Sequence, residues 1–263
     1  MIRKKPAAKE KQKEESKETS WGAVSDWYDD LLGSAETFQA EVILPHLLRI
    51  IEPRTGLQIA DVACGQGFFS RAFSTGGASV AACDISKALI TLAEKKGGSV
   101  KYEVASADHL PWKDGSFDIA ALILAIQNIA PLYETMAECA RVLKHGGRLI
   151  VVLNHPAFRI PKKSSWGFDD VLKIQYRRLD EYASESKAEI KAHPGQQSSA
   201  VTISFHRPLQ TYFKALHKAG FVVERLEEWI SNKKSESGPR KLIEDKARKE
   251  IPLFMMLECR VTP

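Results

Sequence analysis

Short apolar runs alternate with stretches of helical periodicity through the first 155 residues. A continuous apolar run predicts a buried strand, and apolar residues recurring every three or four positions predict a helix. This alternation predicts an α/β fold, an open and mostly parallel Rossmann-like sheet with helices on both faces. The predicted strands are 57–62, 79–83, 100–105, 117–125 and 148–153, and the helices between them are 68–74, 86–96 and 132–143.

Residues 156–205 interrupt this rhythm and are predicted to be an insertion after the fifth strand. Within it we expect a loop, a charged and aromatic helix at 168–182, a polar stretch and a strand at 200–205. The α/β rhythm then returns, with predicted helices at 209–219 and 241–250 and strands at 221–227 and 253–261. Upstream, residues 36–51 have helical spacing, and Pro45 is expected to kink that helix.

The amino terminus differs from the rest in composition. Residues 1–20 carry seven basic and four acidic residues, which supply +3 of the net charge of +5, and are predicted to be a disordered basic tail. Residues 21–263 are predicted to be one domain. The aromatic stretch 21–32 is either a helix that folds over a site or a helix held to the core by its aromatic side chains.

Charge and cysteine content narrow the class of protein. Because the body of the chain is nearly neutral, a broad nucleic-acid face is not expected. The four cysteines share no CxxC spacing, so we predict reduced thiols rather than disulfides or a metal site, and a cytoplasmic protein. No apolar stretch approaches the length of a membrane span, and no secretory signal is recognised.

A small-residue turn follows the first strand and is the strongest functional signal. Residues 59–67 read Ile-Ala-Asp-Val-Ala-Cys-Gly-Gln-Gly and lead into a predicted helix. Glycines let the backbone approach a ligand, and the first N–H groups of a helix can face it. The turn predicts a site for a nucleotide-type cofactor. No lysine follows the glycines as in a phosphate-binding loop, and Phe68 and Phe69 stand where a dinucleotide site needs a further glycine.

Acidic residues recur near three predicted strand ends, at Asp61, Asp84 and Asp108. The ends of parallel strands lie along one edge of a sheet, where ligands bind. A carboxylate there can bind ribose hydroxyls. The alternative is that Asp84 and Asp108 only stabilise turns.

With these features the chain resembles the class I S-adenosylmethionine-dependent methyltransferases of small molecules, in particular the ubiquinone and menaquinone C-methyltransferase group. The matching stretches are 59–67, 80–86, 105–111, 115–118 and 141–152, and the phrase Leu-Pro-Trp at 110–112 with Gly-Ser-Phe-Asp-Ile at 115–119 is the most characteristic. The resemblance covers residues 55–155 well and 206–261 loosely. It implies a seven-stranded sheet of order 3-2-1-4-5-7-6 and S-adenosylmethionine as cofactor.

The resemblance also implies which residues bind the cofactor. The turn would hold the methionine part, Asp84 the ribose, Ile85 the adenine face, and the 107–109 segment the adenine edge. Ala63 stands where many members have glycine, which is acceptable if its φ is negative. The full implied set is Asp61, Ala63, Gly65, Gly67, Asp84, Ile85, Ala107, Asp108, His109 and Gln127.

Methyl transfer needs positioning and, for a protonated acceptor, a base. The catalytic candidates are His155, which follows the fifth strand, Gln127 and Tyr28; for His155 a loop hydrogen bond is the alternative. Further substrate-side candidates are Asn128, Asn154, Arg159 and His206.

Residues 156–205 are predicted to cover the substrate or, alternatively, to be an extra surface layer. Aromatic side chains there offer an apolar wall, and Arg159, Lys162, Arg177 and Arg178 can hold an anion. The favoured function is methyl transfer to a small, apolar or aromatic molecule. An RNA or protein acceptor, and a cofactor-binding module without chemistry, remain alternatives. The oligomeric state is not predicted.

Overall fold

The computed structural model describes residues 36–191 and 201–262, and its centre is a seven-stranded sheet. Counted along the chain, the sheet strands have the order 3-2-1-4-5-7-6, and the seventh is antiparallel to both neighbours. This confirms the predicted fold and strand order. The sheet strands are β1 (Gln58–Val62), β2 (Ser79–Asp84), β3 (Val100–Val104), β4 (Phe117–Ile123), β5 (Leu143–Asn154), β10 (Phe221–Trp229) and β11 (Phe254–Val261).

Helices cover both faces of the sheet, as predicted. Successive strand residues point to opposite faces, so β1 contributes Ala60 to one buried cluster and Ile59 to the other. The first cluster includes residues of α4 and α5, and the second includes residues of α1 and α2. The helices are α1 (Leu44–Ile51), α2 (Phe68–Thr75), α3 (Lys87–Lys95), α4 (Leu132–Val142), α5 (Leu209–Lys218) and α6 (Lys241–Glu250).

The disturbance predicted at Pro45 takes the form of a π-helical segment. Residues Gln39–Ile43 form this wider turn directly before α1, and Pro45 occupies the first turn of α1. Proline has no N–H to donate to the preceding turn, so the regular bonding pattern is broken there. None of the helices in the described part of the chain is long and apolar enough to cross a membrane.

The insertion contains two antiparallel hairpins, and the helix predicted at 168–182 is wrong. Strand β6 (Ser164–Asp169) pairs with β7 (Ile174–Leu179), and β8 (Ser186–Lys191) pairs with β9 (Val201–His206). Asp169 turns the first hairpin because its carboxylate accepts the N–H groups of residues 171 and 172. Burial in β7 follows a period of two, which fits a strand. The strand predicted at 200–205 corresponds to β9.

Part of the predictions falls outside the described residues. The tail at 1–20, the aromatic stretch at 21–32 and Tyr28 all precede residue 36. They stay predictions.

Candidate functional site

A cavity lies at the carboxyl edge of the sheet, where β1, β2 and β4 end. It encloses about 120 Å³. The turn after β1, the end of β2 and the segment after β4 each supply part of its wall. This is the edge at which ligands bind in open α/β sheets. The residues that line it are Asp61, Ala63, Cys64, Gly65, Phe68, Phe69, Asp84, Ile85, Leu89, Ile123, Leu124, Ala125, Asn128 and Ile129.

The turn after β1 is held in a left-handed backbone conformation. Gly65 has a φ of 58° and Gly67, which precedes α2, has a φ of 76°. A side chain at Gly67 would also collide with the phenol of Tyr102. Both glycines are therefore needed for the shape of the turn. The N–H of Cys64 donates to the carbonyl oxygen of Cys83 (2.9 Å), which joins the turn to β2.

Ala63 does not have the negative φ that was expected. Its φ is 56°, in the left-handed region that a residue with a Cβ adopts at a cost of roughly 1–2 kcal/mol. Ala63 is thus strained at a position where many members of the family that the sequence resembles have glycine. Strained backbone of this kind is typical of ligand-binding turns held by their surroundings.

Asp84 lines the cavity and also stabilises two turns. Its Oδ2 accepts the N–H of Gly65 (2.9 Å), and its Oδ1 accepts the N–H of Ser86 (2.8 Å). Each carboxylate oxygen keeps a second lone pair for a ligand. Burial raises the pKa of Asp84, while these two hydrogen bonds oppose the rise. Asp84 therefore stabilises the turns and also faces the cavity, so the two interpretations do not exclude each other.

Asp61 is a second buried carboxylate facing the cavity. The hydroxyl of Ser70 donates to its Oδ2 at 2.5 Å. Burial raises the pKa of Asp61 to about 7, and the negative charge of Asp84 adds to the rise. Two carboxylates that share a cavity lacking a cationic side chain favour a positively charged ligand.

Ile85 lines the rim of the cavity beside these carboxylates. It follows β2 directly and is 54% exposed, which is unusual for a large apolar side chain. An exposed apolar surface at this position can pack against a flat apolar ligand group such as a purine.

The segment predicted to meet the adenine edge lies outside the cavity wall. Ala107 is buried in the core, His109 is exposed, and Asp108 accepts a hydrogen bond from the hydroxyl of Ser106. Asp108 thus has the turn-stabilising role that was its alternative. The structure therefore brings together five of the implied cofactor residues, namely Asp61, Ala63, Gly65, Asp84 and Ile85.

Gln127 belongs to a smaller neighbouring cavity, which it lines with Asn154, Arg159 and His206. Its amide nitrogen donates to the carbonyl oxygen of Leu124 (2.6 Å), which fixes the orientation of the amide. The Oε1 atom is buried without a hydrogen-bond partner among the described residues. Buried polar atoms are normally paired, so Oε1 is available to a bound molecule.

His155, the first catalytic candidate, does not line either cavity. Its Nδ1 accepts backbone N–H groups from Ala157 and Phe158, at 3.2 and 3.4 Å, and its Nε2 lies 2.7 Å from Glu228 Oε1. Burial lowers the pKa of His155, and the contact with Glu228 opposes this. Both ring nitrogens have partners, as expected for the loop hydrogen bond that is the alternative, and the general-base role stays a prediction.

The structure reveals one residue whose importance the sequence did not suggest. Arg207 is 6% exposed and has no carboxylate within ion-pair distance among the described residues. Its guanidinium donates to the carbonyl oxygens of Ile126 (3.1 Å), Ile129 (2.7 Å) and Ala130 (2.9 Å). These carbonyls flank Gln127, so Arg207 positions the segment between the two cavities. Only its place at the end of an apolar strand, before Pro208, was visible in the sequence.

Comparison with known proteins points to one enzyme class. Residues 60–151 match the family model described as "Methyltransferase domain". A demethylmenaquinone methyltransferase of Thermobifida fusca is 32% identical over 165 residues, which are 59% of this chain and 70% of that protein. A ubiquinone biosynthesis O-methyltransferase of Thiobacillus denitrificans is 26% identical over 200 residues, 72% of this chain and 85% of that protein. Other demethylmenaquinone methyltransferases are matched over 55% and 48% of their length.

A solved structure extends the similarity over most of the chain. It is an S-adenosylmethionine-dependent methyltransferase from Mesorhizobium loti, with a TM-score of 0.66 and 26% identity. The match covers 88% of this chain and 99% of that one. The family model spans β1 to most of β5, so it includes the strand ends that form the cavity.

Proposed function

Because this chain belongs to the class I S-adenosylmethionine-dependent methyltransferases, we propose that it transfers a methyl group to a small aromatic or otherwise apolar molecule. The observation that carries this proposal is the wall of the cavity. No lysine, arginine or histidine is among the described residues that line it, and most of its surface is apolar.

The names of two relatives support an aromatic acceptor. One acts, by its name, on demethylmenaquinone, and the other is named for ubiquinone biosynthesis. We infer from them that a quinone or a quinone precursor is the class of acceptor to test first.

The residues of the cavity fit S-adenosylmethionine. Asp61 and the strained turn at Ala63 and Gly65 would hold its cationic methionine part. Asp84 would accept the ribose hydroxyls, and Ile85 would pack on the adenine. Two carboxylates with no cationic side chain among the described lining residues, beside one exposed apolar rim residue, match a ligand that is positive at one end and apolar at the other.

The cofactor supplies a methyl group on a positively charged sulfur, so the protein's task is mainly in-line positioning. Gln127 would orient the acceptor, because it lines the same small cavity as Asn154 and its Oε1 has no hydrogen-bond partner among the described residues. An amide oxygen accepts a hydrogen bond but does not remove a proton at neutral pH. Gln127 is therefore an orienting residue in this proposal.

A labelled-methyl assay tests the acceptor class. The full chain is incubated with S-adenosylmethionine labelled in the methyl group and with cell extract, with and without nuclease and protease. We expect the label in the low-molecular-weight fraction and no effect of either treatment. Label confined to nuclease-sensitive or protease-sensitive material would contradict the proposal, and no label in any fraction would favour the non-catalytic module.

The pKa of Asp61 predicts a pH dependence of cofactor affinity. A cationic ligand binds the ionised carboxylate better, and with a pKa of about 7 that form decreases as the pH falls. From pH 7 to pH 6 the ionised fraction falls about fivefold, so affinity should fall by up to about fivefold. The α-amino group of the ligand keeps its charge in this range. Calorimetric titration at constant ionic strength measures the change.

Asp61→Asn is the matched variant for this measurement, since the amide oxygen can still accept the Ser70 hydroxyl. Its affinity should be weaker at pH 7 and nearly constant from pH 6 to 7. The same pH dependence in the variant as in the unaltered chain would mean that Asp61 is not the titrating group.

A further inference from the structure

A third cavity, of about 290 Å³, lies between the first hairpin of the insertion and the segment around α6. Three arginines from different elements line it: Arg159 after β5, Arg177 on β7 and Arg248 on α6. Aromatic side chains of Phe158 and Trp166 supply further wall, and no acidic residue is among its described lining residues. The charge of Arg248 interacts with Asp245, whereas no acidic partner of Arg159 or Arg177 is found among the described residues.

Arg159 is held in place but its charge is not neutralised. One guanidinium nitrogen donates to Asn154 Oδ1 (2.7 Å), and the group lies 5.4 Å from the ring centroid of Phe254. Burial lowers the pKa of Arg159, and the positive charge of Arg177 adds to this. A cation surrounded in this way is stabilised by a bound anion.

Arg177 is oriented in the same manner. Its Nε donates to the carbonyl oxygen of Phe158 (2.8 Å), and one terminal nitrogen donates to Ser164 Oγ (2.8 Å). The guanidinium also lies 5.3 Å from the ring centroid of Trp166. A guanidinium carries five N–H donors, so several remain for a ligand. Fixed guanidinium groups are the usual partners of carboxylates and phosphates.

This cavity adjoins the place of methyl transfer. Arg159 also lines the small cavity that contains Gln127 and Asn154. Two close chain neighbours of Gln127, Ala125 and Asn128, line the cofactor cavity. The small cavity measures about 20 Å³ and shares Arg159 with the larger one, so an acceptor that reaches from the cofactor to the arginines would displace side chains around Gln127 and Asn154.

We propose that the methyl acceptor carries an oxyanion, a carboxylate or a phosphate, which binds between Arg159 and Arg177. This inference rests on the proposed transfer to a small molecule and specifies its chemical class as an aromatic acid or phosphate ester. Of the four basic residues predicted to hold an anion, the structure selects two. Arg178 instead pairs with Asp180 at 3.1 Å and points to solvent, and Lys162 does not line the cavity.

Calorimetric titration of the full chain saturated with S-adenosylmethionine tests the site with benzoate, phenyl phosphate and neutral benzyl alcohol. At least one anion should bind about tenfold or more tightly than the alcohol, and the tighter anion identifies the acid group. Arg159→Gln and Arg177→Gln should each weaken anion binding about tenfold or more. Arg178→Gln, from the next position of β7, should bind like the unaltered chain. Unchanged cofactor affinity shows that a variant is folded.

Two results would overturn the oxyanion site: equal binding of anions and benzyl alcohol, or full anion binding by both cavity variants. The comparison of probes uses the unaltered chain and decides the question even where a variant does not fold. The labelled-methyl assay is scored separately. Label in the low-molecular-weight fraction without arginine-dependent anion binding contradicts the oxyanion site alone, whereas label only in nuclease-sensitive material contradicts the proposed function.

Discussion

Replacing Asp84 with asparagine is expected to lower the affinity for S-adenosylmethionine by about 10- to 100-fold. Hydrogen bonds to a charged group contribute about 1.5–3 kcal/mol, which corresponds to that range. Asparagine also places an NH₂ group against an N–H of Gly65 or Ser86, because both carboxylate oxygens accept backbone hydrogen bonds. The turn that shapes the cavity is thereby loosened as well. Calorimetric titration with the cofactor measures the change.

Asp118→Asn is the matched control for this variant. Asp118 also accepts a backbone N–H, that of Gln58 at 2.8 Å, and pairs with Lys144 at 2.7 Å. It lies at the start of β4, the opposite end of the sheet from the cavity. The control should lose comparable stability and bind the cofactor within about twofold of the unaltered chain. Unchanged cofactor affinity in Asp84→Asn would remove the ribose-binding role.

The sheet could be predicted because its signals are local. Central parallel strands are apolar on both faces, and glycines or capping residues such as Ser86 separate them from the helices. Ser86 does cap α3, since its hydroxyl oxygen accepts the N–H of Leu89 (3.3 Å). The location of Asp84 and Asp61 could be predicted in the same way, because the ends of neighbouring parallel strands lie at one edge of the sheet.

The errors arise where an interaction depends on distant parts of the chain. The strands β6 and β7 are rich in charged and aromatic residues. Such a composition does not distinguish a strand from a helix unless the pairing of the two strands is known. His155 follows a strand end, yet Glu228 on β10 and two backbone N–H groups occupy its ring. Asp108 differs from these cases because its partner, the hydroxyl of Ser106, is local, and its contact with adenine stays a prediction.

Arg207 illustrates the same limit for a residue that was missed. Its partners are carbonyl oxygens about eighty positions earlier in the chain. Every residue has a backbone carbonyl, so the sequence does not show which of them accept hydrogen bonds from Arg207. Only the folded chain brings the end of β9 against the segment after β4. The residues that hold a site in place are therefore harder to predict than those that face its ligand.

Arg207→Met should destabilise the protein by about 3 kcal/mol. Methionine keeps much of the apolar volume but removes three hydrogen bonds, each worth about 1 kcal/mol. The carbonyl oxygens of Ala130 and Ile126 still accept the N–H groups of Leu132 (2.9 Å) and Ile129 (3.4 Å), so the carbonyl of Ile129 is the one that loses its donor among the described residues. The variant should lose stability both in the segment 126–130 and in the fold as a whole. Amide hydrogens of the segment 126–130 should exchange faster, and methyl transfer should slow as Gln127 loses its fixed position. Urea unfolding and hydrogen exchange measure the two effects.

Arg148→Met separates this positioning role from general loss of stability. Arg148 is also partly buried, pairs with Glu258 at 2.7 Å and donates to the carbonyl oxygen of Ile50 (3.3 Å). It lies on β5 away from the cavities, so its loss should lower stability without faster exchange at 126–130. Equal exchange in the two variants would mean that Arg207 acts on the whole fold. Faster exchange in Arg207→Met alone, with cofactor affinity kept, would place its effect on the acceptor side, because Gln127 lies outside the cofactor cavity.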